Sequence, residues 1–390
     1  MSHDFVLSRR AFLIGCSVAA SPLLTPVTFA AAAGDNRLVV IVLRGAMDGL
    51  DVVRPLGDRD YLGLRPTLSA DAAQSHDLDG FFALHPAAMP LMPLWDKGEL
   101  AFAHAVATPY RKGRSHFVGQ DALENGTGGE AGNLTPGHDG WLNRALSVIP
   151  GADGRTAVSV GQQRLLILEG AQDTQHYFPV SESALSAQGH SLLQAVNAAD
   201  PLFAKPFEES QALAVDSMGE VRAKPNEGYK ELGRYVAEQL TAKSRIASLS
   251  LGGWDTHHNQ ARIMADQMVA LSDMVLAMKT GLGAQWGSTL VLAMTEFGRT
   301  ARENGTTGTD HGTGGVMIAA GGALRGKRVM ADWPGVSDSN LLTNRDLMPT
   351  RDVRAFAGWA LRSLYGVEAS AIEATVFPGL DLGTDPGLLL

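Results

Sequence analysis

An α/β fold built on a mostly parallel central sheet is predicted by three observations. Four apolar stretches each run straight into a polar, glycine-containing turn, the alternation expected where helices cover both faces of a sheet. The Asp, His, Ser and Arg residues that could carry chemistry gather in those turns and not in the strands. Composition agrees: 45% of the 390 residues are hydrophobic, only 6% are aromatic and 44 are Gly, enough for a large core and many tight strand-to-helix loops.

Residues 1–33 read as an export signal and not as part of the fold. Ser8-Arg9-Arg10-Ala11-Phe12-Leu13 matches the twin-arginine pattern, and an uncharged, moderately apolar run follows as far as Gly34. The small residues Ala30 to Ala33 supply a cleavage site after Ala30, Ala32 or Ala33. A retained membrane anchor is the alternative, against which Pro22 and Pro26 weigh by weakening a spanning helix. Cys16, the single cysteine, lies within this signal, so the mature chain holds no disulfide, thiolate ligand or cysteine nucleophile. The expected location is periplasmic or exported, with no stable membrane insertion after cleavage. Twin-arginine export carries folded proteins, often with a cofactor already inserted, which suits a metalloprotein.

The strands then follow in order. LVVIVL (Leu38 to Leu43) leads into RGAMDGLD, and ELAFAHAV (Glu99 to Val106) leads into ATPYRKGRSHF. RIASLSL (Arg245 to Leu251) leads into GGWDTHHNQ, and TLVLAM (Thr289 to Met294) leads into TEFGRT and then TDHG. A fifth run, VMIAA (Val316 to Ala320), comes after that histidine. The stretch from about Pro150 to Gly228 is read as an inserted cap-like region, and the pattern from His258 to Leu282 as an amphipathic helix whose methionines fill the core. The four loops end strands at one sheet edge, where ligands bind in open α/β sheets.

Carboxylate and imidazole are the ligand types that hold zinc and related divalent ions in sites that keep a position open. The loops offer Asp48 after the first strand, Asp255 with His257 and His258 after the third, and Asp310 with His311 after the fourth. Each also has a plain structural reading. Asp48 or Asp255 could cap a helix, and Asp310 could make a turn beside a surface histidine. Ser115 stands where a helix is expected to begin, fitting either an N-cap or a nucleophile favoured by the helix dipole. His116 fits a ligand, a general acid or a substrate contact, and Arg114 and Arg299 fit clamps for an anionic group.

The ordered set GAMDGLD, RSHF, GWDTH, TEFGRT and TDHG, behind a twin-arginine signal, resembles the domain-of-unknown-function 1501 family of the alkaline phosphatase and sulfatase-like superfamily. The resemblance spans roughly Arg37 to Pro386. It implies an alkaline-phosphatase-like α/β/α sandwich with metal at the strand ends. Asp48, Asp310 and His311 would share one metal, Asp255 and His257 would hold a second, and Ser115 would fall near the nucleophile position. Two departures stand out. No histidine follows His311, so the second metal needs His258 or His116 as a substitute. The cysteine or serine that sulfatases convert is replaced in ATPYR by Ala107, which disfavours that mechanism.

The formal charge is −9, and no long basic run suggests nucleic acid as a partner. The sequence therefore points to an exported metal-dependent hydrolase of phosphate or sulfate esters, phosphate preferred, acting on a small anionic substrate. Zinc is the expected ion, with manganese, magnesium or calcium as alternatives, and serine or water is the nucleophile. The competing expectation is a non-catalytic envelope binding or assembly protein that keeps the fold.

Overall fold

The run that opens the domain becomes a central strand because it can be screened from water on both faces: β1 (Arg37–Leu43) is buried along its whole length. The computed structural model describes residues 35–111, 113–127, 139–161, 164–177 and 228–390. A small sheet of β2 (Val53–Arg54), β3 (His76–Asp77) and β4 (Ala83–Leu84) follows β1. The other expected strands appear within two residues of their predicted bounds. They are β5 (Leu100–Ala107), and, after β6 (Ala157–Val160) and β7 (Gln175–Tyr177), β8 (Ile246–Leu251), β9 (Thr289–Thr295) and β10 (Gly315–Ala320). Two short strands, β11 (Arg328–Met330) and β12 (Arg351–Asp352), complete a nine-stranded sheet.

The sheet order is β11-β5-β10-β9-β1-β8-β6-β7, with β12 beside β5. β1 runs parallel to both neighbours, β8 and β9. Only β10 runs against its neighbours, β5 and β9. A parallel return needs a crossover, usually helical, and the segment between β9 and β10 contains no helix. The chain therefore folds back on the same edge, so β10 starts beside the ends of β5 and β9, on the edge where β1 and β8 also end.

Alternation along β1 divides the core into two layers. Leu38, Val40 and Val42 pack into one cluster with Phe356 and Leu361 of the helix Val353–Tyr365, while Val39, Ile41 and Leu43 pack into the other with Met264, Met268 and Met274. Helices thus cover both faces, and the fold is α/β/α. The amphipathic pattern expected from His258 forms the helix Gln260–Leu282, and its buried methionines are core filler. The helix expected at Ser115 runs His116–Asn125 and stops at Gly126, whose φ of 70° supplies the left-handed cap.

The expected cap-like region from about 150 to 228 needs correction in its first part: β6 pairs with β8, and β7 with β6, inside the main sheet. Four- and three-residue runs are too short for their periodicity to reveal a strand. Residues 178–227 of that region, like the export signal, lie outside the described residues. No helix among the described residues is long and apolar enough to cross a membrane.

Candidate metal centre

Three side chains from three loops converge at the edge where β10 begins. Among the described residues, His116, Asp255 and His311 bring ligand atoms within 4.8 Å of one another, a grouping able to hold a metal ion. His116 opens its helix directly after the β5 loop, Asp255 ends the turn after β8, and His311 precedes β10. Asp255 lies between the imidazoles: Oδ2 is 3.4 Å from His116 Nε2, and Oδ1 is 3.3 Å from His311 Nε2.

Each histidine is oriented from behind. Nδ1 of His311 donates to the Arg114 carbonyl at 2.9 Å, which leaves Nε2 as the lone-pair nitrogen of the neutral ring. Burial lowers the pKa of His311, outweighing that carbonyl, and so keeps it in the neutral form a metal needs. Nδ1 of His116 faces Glu296 Oε1 at 2.8 Å, and its Nε2, turned toward Asp255, is buried without a hydrogen-bond partner. The bond to Glu296 raises the pKa of His116 against the effect of burial. Carboxylates on both sides of this ring favour a cation there, and a metal ion on Nε2 would satisfy them in place of a proton. Phe297 backs both rings, with centroids 5.3 Å from His116 and 5.3 Å from His311.

His257 touches the group from its open side. Its Nε2 lies 3.2 Å from Asp255 Oδ1 and 2.9 Å from His311 Nε2, and its Nδ1 faces Asp310 Oδ1 at 3.3 Å. Two imidazole lone pairs cannot meet at that separation without a shared proton or ion between them. Asp310 reaches the centre only through His257 and Asn304. His258 is exposed and stays outside the group.

Glycine in the TDHG loop answers a steric demand. A Cβ on Gly312 would come 2.4 Å from the Arg299 backbone, and one on Gly308 would come 2.4 Å from that of His257. The small residues let the Asp310–His311 segment lie flat against two neighbouring loops.

Two expected site residues serve the framework instead. Asp48 is fully buried: Oδ1 accepts from Leu50 N at 3.1 Å, and Oδ2 accepts from Arg65 Nη1 and Gln260 Nε2, both at 2.7 Å. Its lone pairs are committed to a helix cap and an ion pair, so it is a structural anchor and not part of the cluster. Arg299 is likewise buried, donating to the carbonyls of Gly45, Ala46, Trp254 and Thr309 and to Asp255 Oδ1. It ties the loops together, and its burial keeps it from a substrate. Its hydrogen bond and charge overcome the burial that would raise the Asp255 pKa, and hold that carboxyl below the usual range.

Ser115 is half-buried and makes no side-chain capping bond; its backbone N–H donates to Tyr110 Oη at 3.0 Å. Arg114 pairs with Asp346 at 3.0 Å. Sequence reasoning missed Glu296, although it directly follows β9 at the edge already identified. It also missed Arg345 and Asp346, which end no strand. A cavity of about 690 Å³ lies elsewhere, between β11 and Trp359, and shares no residue with this centre.

Comparison with protein families finds a match to the model described as protein of unknown function (DUF1501) over residues 105–358. Comparison with curated proteins finds no match. Among solved structures, the C-terminal periplasmic domain of EcEptC from Escherichia coli is similar at 10% identity and a TM-score of 0.40, over 92% of this chain and 93% of that one. A protein in the alkaline phosphatase superfamily from Vibrio parahaemolyticus is similar at 13% identity and a TM-score of 0.36, over 91% and 72%. The PsFucS1 sulfatase from Pseudoalteromonas sp. is similar at 13% identity and 0.37, over 92% and 74%.

Proposed function

This chain belongs to the DUF1501 protein family, and from that premise we propose that it is an exported, metal-dependent hydrolase of phosphate or sulfate esters, with phosphate preferred. The observation that carries this reading is the buried, partnerless Nε2 of His116, held opposite Asp255 with the lone pair of His311 at the same carboxylate. His116, Asp255 and His311 would hold the ion, and two imidazoles with one carboxylate suit zinc first. When bound, such an ion supplies Lewis-acid polarisation and lowers the pKa of a neighbouring hydroxyl.

The chain's own residues provide the rest. Ser115 Oγ, uncommitted as a cap, stands at the N-terminus of a ten-residue helix, where negative charge is favoured. It is the proposed nucleophile. His257, half-exposed and held by Asp310 at Nδ1, is the proposed acid–base group, its Nε2 taking the serine proton and passing it to the leaving oxygen. Ala107, the last residue of β5, cannot become the aldehyde that sulfatases use, which supports phosphate over sulfate.

Ser115→Ala tests the reading. Folding and metal content should survive, and turnover on a panel of phosphate and sulfate monoesters and diesters should fall by about two orders of magnitude or more, the contribution of one positioned catalytic group. Substantial residual rate would replace serine by a water nucleophile. Wild-type protein that is metallated yet inert on the whole panel would remove the hydrolase and leave the non-catalytic binding protein.

The export part of the proposal rests on the twin-arginine pattern at Arg9 and Arg10. Replacing both by Lys should leave full-length precursor in the cytoplasm. An unchanged yield of shortened chain in the periplasmic fraction would exclude that route.

A further inference from the structure

Arg345 ends no strand and belongs to no recognised motif, yet it lies against the cluster. Its Nη1 donates to the His311 carbonyl at 2.8 Å and to Asp346 Oδ1 at 2.9 Å. Arg114 reaches the same carboxylate from the β5 loop, Nη2 to Oδ2 at 3.0 Å, while its own carbonyl accepts from His311 Nδ1. Asp346 is 0% exposed, and Thr313 Oγ1 also donates to it at 2.8 Å. One buried carboxylate therefore gathers two guanidinium groups directly beside His311, and Arg345 also lies within electrostatic reach of the exposed Asp310.

Neither guanidinium is used up. Among the described residues, Arg345 is 37% exposed and engages its partners through Nη1 alone, and Arg114 is 40% exposed, engages through Nη2, and has a buried Nε with no partner. This differs from Arg299, which is 1% exposed and enclosed by four backbone carbonyls. The backbone that presents the pair is strained. Arg114 has φ 43°, and Thr343, two residues before Arg345, has φ 53°, left-handed values that side-chain-bearing residues other than Asn and Asp seldom adopt. Such conformations persist where the surroundings enforce them, commonly at ligand clamps.

We propose that Arg114 and Arg345 form a binding subsite for a tetrahedral oxyanion beside the histidine–aspartate cluster, with Asp346 as the positioning residue that sets the spacing of the two forks. Planar guanidinium groups arriving from separate loops can meet several oxygens of a phosphate or sulfate group at once, which a single ammonium cannot do. The subsite would take the phosphoryl or sulfuryl end of an ester. That assignment rests on the hydrolase reading, but binding of the free anion does not.

The test is titration of the chelator-treated, full-length protein with inorganic phosphate and, in parallel, inorganic sulfate, followed by calorimetry. Wild type should bind at least one of them, and Arg345→Ala should weaken that binding about tenfold or more. Arg345→Lys should restore part of it, because charge returns without the fork. The stronger arm names the ester the site is built for. Unchanged affinity in Arg345→Ala, or no binding of either anion by wild type, overturns the subsite. Arg345-dependent binding in a protein inert on every ester keeps the subsite and removes the hydrolase. Ester turnover whose KM ignores Arg345→Ala, with anion binding equally unaffected, does the reverse.

Discussion

Alanine at His116 or at His311 is expected to empty the metal centre while leaving the fold intact. Both imidazoles stand at the sheet edge and not in the core, and each supplies one of the three ligand positions grouped there among the described residues. Zinc affinity, read by competition with a chromophoric chelator, should fall by more than about 100-fold, beyond the usual cost of losing an outer partner of a ligand. Glu296→Gln neutralises the carboxylate that orients His116, which also accepts from Gly45 N, Gln120 Nε2 and Thr295 Oγ1, and should cost about 10- to 100-fold. His258→Ala, on an exposed side chain outside the group, should change nothing. Wild-type zinc occupancy in His116→Ala would show that its buried Nε2 is not a ligand.

Asp48→Ala should do the opposite, keeping the metal and losing stability. Asp48 and Arg65 form an ion pair in which neither side chain is more than 1% exposed. Removing the carboxylate leaves a buried guanidinium held only by the carbonyls of Thr300 and Ala301, and also deletes the cap on Leu50 N. Breaking a buried pair from one side costs about 3–5 kcal/mol, because the remaining charge is desolvated without compensation. Denaturant titration should show that loss, while the metal-to-protein ratio of the folded fraction stays at the wild-type value. If instead Asp48→Ala lost metal and kept its stability, Asp48 would return to the ligand set that the family resemblance implies for it.

The contrast between Asp48 and Asp255 marks the boundary between what was legible in the chain and what was not. The sequence alone determined the long core strands of the sheet and the edge at which their loops end. Runs such as Leu38 to Leu43 and Thr289 to Met294 have no partner for a water-facing side, so they had to become buried strands, and their polar turns had to gather at strand ends. That reasoning also reached His116, Asp255, His257, Asp310 and His311, because short-range spacing and strand termini set which loop each occupies.

Only the tertiary structure decided what each group does there. Asp48 and Asp255 both follow a strand, but Asp48 meets Arg65, 17 positions away, while Asp255 meets His116 and His311 across the loops. Arg299 and Arg345 carry the same side chain; the first is enclosed by four carbonyls and the second keeps donors facing water. Glu296 became a positioning group only when β9 and the helix His116–Asn125 came together. Charge and hydrogen-bond capacity belong to the residue, but whether they remain available depends on partners distant in sequence, and no local pattern records those partners.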